Sequence, residues 1–126
     1  VSGARNRRMG AAFETALTAF FRGRGCSAER LRLSGREDEG DISVRFSDRE
    51  PVSLIVEAKA GKNIRPWHWF REEAVPEAAA YRKRRGTDTG VPCLVMKAHN
   101  RSIGDALVCL SLSDFMDIVN RDRRED

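Results

Sequence analysis

From Asn6 to about Arg24 the apolar residues Met9, Ala12, Phe13, Ala16, Leu17, Phe20 and Phe21 recur every three or four positions, which predicts an amphipathic helix. Gly23 and Gly25 end it. Glu14 is the only acid in this segment and sits at the edge of the apolar stripe. Residues 28 to 34, "AERLRLS", alternate well enough for a strand, and a polar loop from Gly35 to Gly40 follows. In "DISVRF" the alternation is strict: Ile42, Val44 and Phe46 point one way, and Asp41, Ser43 and Arg45 the other. After a turn-rich segment from Ser47 to Pro51, "VSLIVEAKA" has the β-branched content of a buried strand. Val52, Leu54, Val56 and Ala58 share one of its faces, and Ser53, Ile55, Glu57 and Lys59 share the other.

Beyond Gly61 the segment "RPWHWF" reads as a loop, and a helix is predicted from about Phe70 to Arg85. Pro76 lies inside it and calls for a kink or for a new helix with proline in its first turn. The basic run Arg82, Lys83, Arg84 and Arg85 complements the negative end of a helix dipole, and Gly86 supplies a stop. "VPCLVMKAH" and "DALVCLSL" predict two more strands split by the turn "NRSIG". Ser113 is placed to cap a final short helix whose Phe115, Ile118 and Val119 face inward. This element order predicts an α/β fold, a central mixed β-sheet of about five strands flanked by helices.

A chain of 126 residues suits one domain spanning 1–126, with 1–5 and 121–126 expected to be flexible. The first residues, which start at Val1 and not at a methionine, carry little weight in this reading. No apolar run approaches the roughly 20 residues of a membrane span, so no membrane role is expected. Cys26, Cys93 and Cys109 are widely spaced, with no pair at zinc-ligand spacing, and read as reduced thiols of a cytoplasmic protein. The net charge of +4 is uneven. Residues 1 to 24 hold five arginines against one acid, residues 25 to 60 six bases against eight acids, and the remainder twelve against ten. A basic chain that keeps a local acidic island fits a polyanion partner with a divalent metal between the two.

The acids give that idea a location. Glu37, Asp38, Glu39 and Asp41 crowd the loop before "DISVRF", and Glu57 follows Asp41 by sixteen positions. A hairpin between the two strands is about the right length to bring Asp41 and Glu57 together. Paired carboxylates suit a hard, oxygen-seeking cation such as Mg²⁺. Period-2 geometry puts Lys59 on the same face as Glu57. Its ammonium is placed to orient or help deprotonate a water, or to stabilise charge on a phosphate, while the metal lowers the pKa of that water.

With these residues in view, the sequence resembles the PD-(D/E)XK nuclease superfamily, and within it the archaeal-type Holliday junction resolvases and their phage-encoded relatives. The likeness rests on Glu14 in the first helix, Gly40-Asp41-Ile42, and Glu57-Ala58-Lys59, and it extends from about Arg7 to Val119. It implies a restriction-endonuclease-like core. It also implies that Asp41, Glu57 and the Ala58 carbonyl hold Mg²⁺ (or Mn²⁺ in its place), that Lys59 and Glu14 are catalytic, and that Ser34 matches the family's loop serine. The family's usual proline before the aspartate is Gly40 here. The implied activity is metal-assisted phosphodiester hydrolysis at DNA four-way junctions, in the cytoplasm of a bacterial, archaeal or phage-infected cell. Paired nicks from a one-site domain imply a homodimer.

Arg5, Arg7, Arg8, Arg36, Arg82, Lys83, Arg84, Arg85 and Lys97 are candidate DNA contacts, with Arg22 and Arg24 in the same basic group. Trp67, Trp69 and Phe70 suit a core anchor, a dimer contact or a base-stacking platform. His68 and His99 show no triad or zinc pattern. Gly104-Asp105 mimics Gly40-Asp41 but is followed by no Glu-x-Lys, so Asp105 reads as a turn residue. Two alternatives stay open: a nicking, repair or restriction-type nuclease on other DNA, and a non-catalytic DNA-binding module.

Overall fold

The computed structural model describes residues 2–31, 40–46 and 52–124, with side chains from Arg7 to Arg121 within those ranges. Helix α1, Ser2–Gly23, starts ahead of the expected position and ends as read. Three strands follow: β1 (Ser27–Arg30), β2 (Ile42–Arg45) and β3 (Ser53–Lys59). A helical run then comprises α2 (Pro66–Trp69), a π-helical segment (Phe70–Ala74) and α3 (Val75–Arg85). Strand β4 (Gly90–Met96), a 3₁₀ turn (Ile103–Asp105), β5 (Leu107–Cys109) and α4 (Leu112–Arg124) complete the chain.

The five strands form one mixed sheet in the order β1-β2-β3-β4-β5. β1, β2 and β3 pair antiparallel, β3 and β4 parallel, and β4 and β5 antiparallel. The parallel pair needs a long crossover, which the helical run supplies. Each face of β3 has its own cover. Leu54 and Val56 join Ile42, Val44, Phe13 and Leu17 on the α1 side, while Ile55 packs with Ala78 and Tyr81 of α3. Burial on both faces explains why "VSLIV" is nearly continuous in apolar residues.

Several sequence expectations are corrected. "RPWHWF" is helical and not a loop: Pro66 opens α2, where its missing N–H costs nothing. Pro76, by contrast, falls in the first turn of a new helix, α3, one of the two outcomes read for it. A proline there has no N–H for the carbonyl four residues back, and the π-helical turn just ahead absorbs the mismatch, with the Val75 N–H donating to the Phe70 carbonyl. Ser111, not Ser113, caps α4, accepting the Asp114 N–H at 3.1 Å. Phe46 is exposed because β2 stops at Arg45, and Phe115 is exposed because α4 turns Ile118 toward the core instead. Gly86 stops α3 as expected, in the left-handed region. No helix among the described residues is long and apolar enough to cross a membrane.

Candidate metal centre

The β2–β3 hairpin creates the centre through its register. Ile42 pairs with Val56, and the Asp41 N–H extends the ladder by donating to the Val56 carbonyl at 2.8 Å. Asp41 Oδ2 then accepts the Ala58 N–H at 2.8 Å. Its carboxylate is thereby tied to the strand that carries Glu57, with which it is in side-chain hydrogen-bond contact. Gly40 makes the entry possible. Its φ of +97° is open to glycine, and a Cβ there would meet Ile55 Cγ2 at 3.0 Å and the Val56 carbonyl at 3.3 Å. A proline, whose ring fixes φ near −65°, cannot adopt that conformation.

Backbone direction adds an oxygen. The Lys59 carbonyl accepts the Lys97 N–H on the β4 side at 2.9 Å. Ala58, one residue earlier, directs its N–H to Asp41 on the β2 side. Within a strand the N–H and C=O of one residue face the same neighbour, so the Ala58 carbonyl is directed toward Asp41 as well.

Glu57 alternates onto the sheet face covered by the π-helical segment and α3, where Glu73 and Glu77 meet it. One oxygen from each of these three carboxylates lies within 4.8 Å of the others. Glu57 is 5% exposed and Glu77 7%. Burial pushes the Glu57 carboxyl far above the usual carboxylate range; hydrogen bonding to Asp41 and the charges of Asp41 and Glu77 push the same way, and Lys59 offsets them in part. A centre of hard oxygens whose buried acid prefers a proton lacks positive charge, which is what a divalent cation supplies.

Lys59 provides some of that charge. Its Nζ lies 2.6 Å from Glu73 Oε1 and 3.6 Å from Glu57 Oε2, and 5.7 Å from the Trp69 ring centre. Burial alone would lower its pKa, but the hydrogen bond to Glu73 and the charges of Glu57, Glu73 and Asp41 outweigh it and raise the net value. A lysine held protonated is a donor placed to stabilise negative charge.

Glu14 is not drawn into this group. Its Oε1 pairs with Arg30 at 3.3 Å, and α1 packs against the opposite sheet face, the one carrying Ile42 and Val56. Ser34, Arg36 and the side chain of Arg5 lie outside the described residues. Of the basic candidates, Arg82 donates to the Gly90 carbonyl at 2.6 Å and braces α3 against β4. Arg22 does the same for the Ala28 carbonyl at 2.9 Å. Arg7, Arg8, Lys83, Arg84 and Arg85 are exposed, and Lys97 is half-buried at the end of β4. Arg85 lies 4.5 Å over the Tyr81 ring. A groove of about 520 Å³ runs past Glu73, Pro76 and Glu77 to Lys83, joining the acidic centre to the basic end of α3.

Glu73 and Glu77 are the residues that sequence reasoning missed. One signal was present: Glu77 falls in the stripe Ala74, Ala78, Tyr81, and an acid on an apolar stripe needs a reason to be there. Trp69 and Phe70 pack against Ala74, Leu94 and Met96, while Trp67 is 70% exposed with Arg71 over its ring.

No family model matches the chain, and no curated protein matches it either. Among solved structures, the fold is similar to that of Hjc, a Holliday junction resolvase from the archaeal hyperthermophile Archaeoglobus fulgidus, with a TM-score of 0.55 at 16% identity, over 80% of this chain and 76% of that one. The chain therefore has the α/β architecture of that structure, a five-stranded mixed sheet between helices.

Proposed function

We propose that the chain is a divalent-metal-dependent, structure-selective DNA endonuclease whose substrate is the four-way junction. The observation that carries this reading is the contact of Asp41 with Glu57 across the hairpin, with Lys59 next on the same face. The fold shared with a protein described as a Holliday junction resolvase supports the choice of substrate.

In this reading Asp41, Glu57 and the Ala58 carbonyl hold Mg²⁺, or Mn²⁺ in its place. When bound, the cation polarises a phosphate oxygen and lowers the pKa of a bound water. The chain's own residues do the rest. With a cation in place, Glu57 would release to solvent the proton that burial favours on it. Lys59 donates hydrogen bonds to phosphate oxygens as charge builds on them, and Glu73 keeps its ammonium at that position. The exposed Lys83, Arg84 and Arg85 and the α1 residues Arg7 and Arg8 neutralise backbone phosphates. Resolution needs two nicks, and the described residues form one such centre, so a homodimer is part of the proposal.

The test is a comparison of Mg²⁺-dependent cutting on four-way junction, flap, mismatch and plain duplex DNA. Preference for the junction supports the reading. Equal or faster cutting of another substrate moves the assignment to a nicking, repair or restriction-type nuclease. Tight junction binding without nicking in Mg²⁺ or Mn²⁺ moves it to a non-catalytic module.

A further inference from the structure

The helical run after β3 separates three aromatics that are adjacent in sequence. Trp69 and Phe70 turn inward onto Ala74, Leu94 and Met96. Trp67 stands two positions from Trp69, on the other side of a helix that turns about 100° per residue, and is 70% exposed. Ile64, three residues ahead of it, is 54% exposed as well. Every residue from Gly61 to His68 faces solvent. Between Gly61 and Arg71 the chain carries the cations Lys62, Arg65 and Arg71 and no acid. The Arg71 guanidinium lies 5.5 Å over the Trp67 ring, a cation–π contact that orients the indole without covering it. An exposed aromatic interleaved with cations suits a polyanion that offers flat rings of its own.

This surface adjoins the acidic centre. Lys59 Nζ lies 5.7 Å from the Trp69 ring centre, and helix positions two apart are separated by about 5 Å. Trp67 therefore stands on the order of 15 Å from the Lys59 ammonium, a few nucleotides along a DNA strand. We propose that Trp67 is a stacking platform for a nucleobase exposed at the branch point of the DNA, with Lys62, Arg65 and Arg71 on the flanking phosphates. Inside a plain duplex both faces of each base pair are covered by neighbours. Where helices part at a branch, end faces open and can stack on an aromatic ring. Trp67 then supplies a preference for branched over continuous DNA, which phosphate contacts by themselves do not carry. A second copy of the chain suits this surface poorly, because a two-fold contact centred on it would set its cations against themselves. The inference rests on the proposed function for DNA as the partner and adds the residue that selects the DNA's shape.

The test is equilibrium binding of the full chain, in EDTA so that nothing is cut, to a labelled four-way junction and to a plain duplex of the same length. Trp67→Ala is expected to weaken junction binding at least about fivefold and duplex binding less than about twofold, with Tm unchanged because the side chain is exposed. Trp67→Phe, which keeps a ring, is expected to bind the junction within about twofold of wild type. The chain has two tryptophans, so the junction should quench wild-type tryptophan fluorescence and leave that of Trp67→Phe, which reports Trp69 alone, nearly unchanged. A Trp67→Ala chain that binds both DNAs as wild type does, or loses both equally, overturns the proposal. So does a loss of self-association in that variant by sedimentation, which would assign the ring to a protein contact. A chain that binds junctions through Trp67 and never nicks them in Mg²⁺ overturns the proposed function alone. A junction nuclease indifferent to Trp67→Ala overturns the stacking role alone, and a chain that binds no DNA overturns both.

Discussion

Asp41 Oδ2 accepts the Ala58 backbone N–H at 2.8 Å, so the first carboxylate of the centre is held by the strand that carries the second. Asn at position 41 keeps an acceptor for that N–H and loses the charge. Asp41→Asn and Glu57→Gln are each expected to lower junction cleavage on the order of 1000-fold while leaving junction affinity within about threefold. Single-turnover cleavage alongside a gel-shift titration checks both. Wild-type cleavage rates in either variant would remove the metal centre from the mechanism.

Lys59 depends on Glu73, 2.6 Å away, for its position. Lys59→Met is expected to cost on the order of 100-fold or more in cleavage, and Glu73→Gln about tenfold, because the amide still accepts a hydrogen bond but no longer attracts the ammonium. Since both changes act on one group, their effects should not add, and the double variant is expected to match Lys59→Met alone. A double-mutant cycle at fixed Mg²⁺ measures this.

The raised pKa of Glu57 makes the metal-free protein sensitive to pH. In the unfolded chain this carboxyl ionises in the ordinary range near pH 4.5, whereas the folded chain still holds the proton well above that pH. The folded state thus binds more protons across the window. The stability Glu57 contributes is fully present below pH 4.5 and is lost as pH rises toward its folded pKa. Glu57→Gln, which cannot ionise, is expected to flatten the slope and raise Tm at pH 8 by several degrees, about 1 kcal/mol corresponding to ~3–6 °C for a domain of this size. Saturating Mn²⁺ should stabilise wild type, by about 2.7 kcal/mol at a hundred times Kd, and should leave Asp41→Asn nearly unmoved. Thermal melts at pH 5 to 9, with and without metal, give both results.

Gly40 enters β2 at a φ of +97° with Ile55 Cγ2 only 3.0 Å from where a Cβ would stand. Gly40→Ala is expected to destabilise the fold by about 1–3 kcal/mol through backbone strain and crowding. Because the strained residue adjoins Asp41, cleavage should fall as well, and urea unfolding paired with a cleavage assay detects both effects.

Glu14 separates the observed geometry from the role that family resemblance implies. Its partner is Arg30, on the other side of the sheet from Glu57 and Glu73. Glu14→Gln is therefore expected to reduce cleavage by less than about tenfold, in contrast to Asp41→Asn. A loss as deep as that of Asp41→Asn would place Glu14 in the reaction centre.

The hairpin with Asp41, Glu57 and Lys59 was legible in the sequence because strand alternation is local: once Ile42 and Val56 face inward, their neighbours are assigned. The acids opposite them were not. Glu73 lies in a π-helical segment, where the extra residue per turn shifts the helical phase and defeats a 3.6-residue reading across Phe70–Ala74. Pro76 announced a kink or a helix start there, and it does lie in the first turn of α3, but it gave no sign of the π-helical turn just ahead. The inward readings of Phe46 and Phe115 failed at element ends, where periodicity continues in sequence after the strand has stopped or the helix has turned another face to the core. Composition could not show that Arg82 and Arg22 each donate one N–H to a backbone carbonyl.

The proposed role of the hairpin carboxylates is in a nuclease that acts on branched DNA. Its most direct test is to incubate the protein with a four-way junction labelled on each strand in turn, in Mg²⁺, and to map the nicks at nucleotide resolution. The expected result is paired nicks, symmetric about the branch point on opposing strands, that vanish with chelation and with Asp41→Asn. Scattered cuts along the duplex arms, or metal-independent cutting, would contradict it.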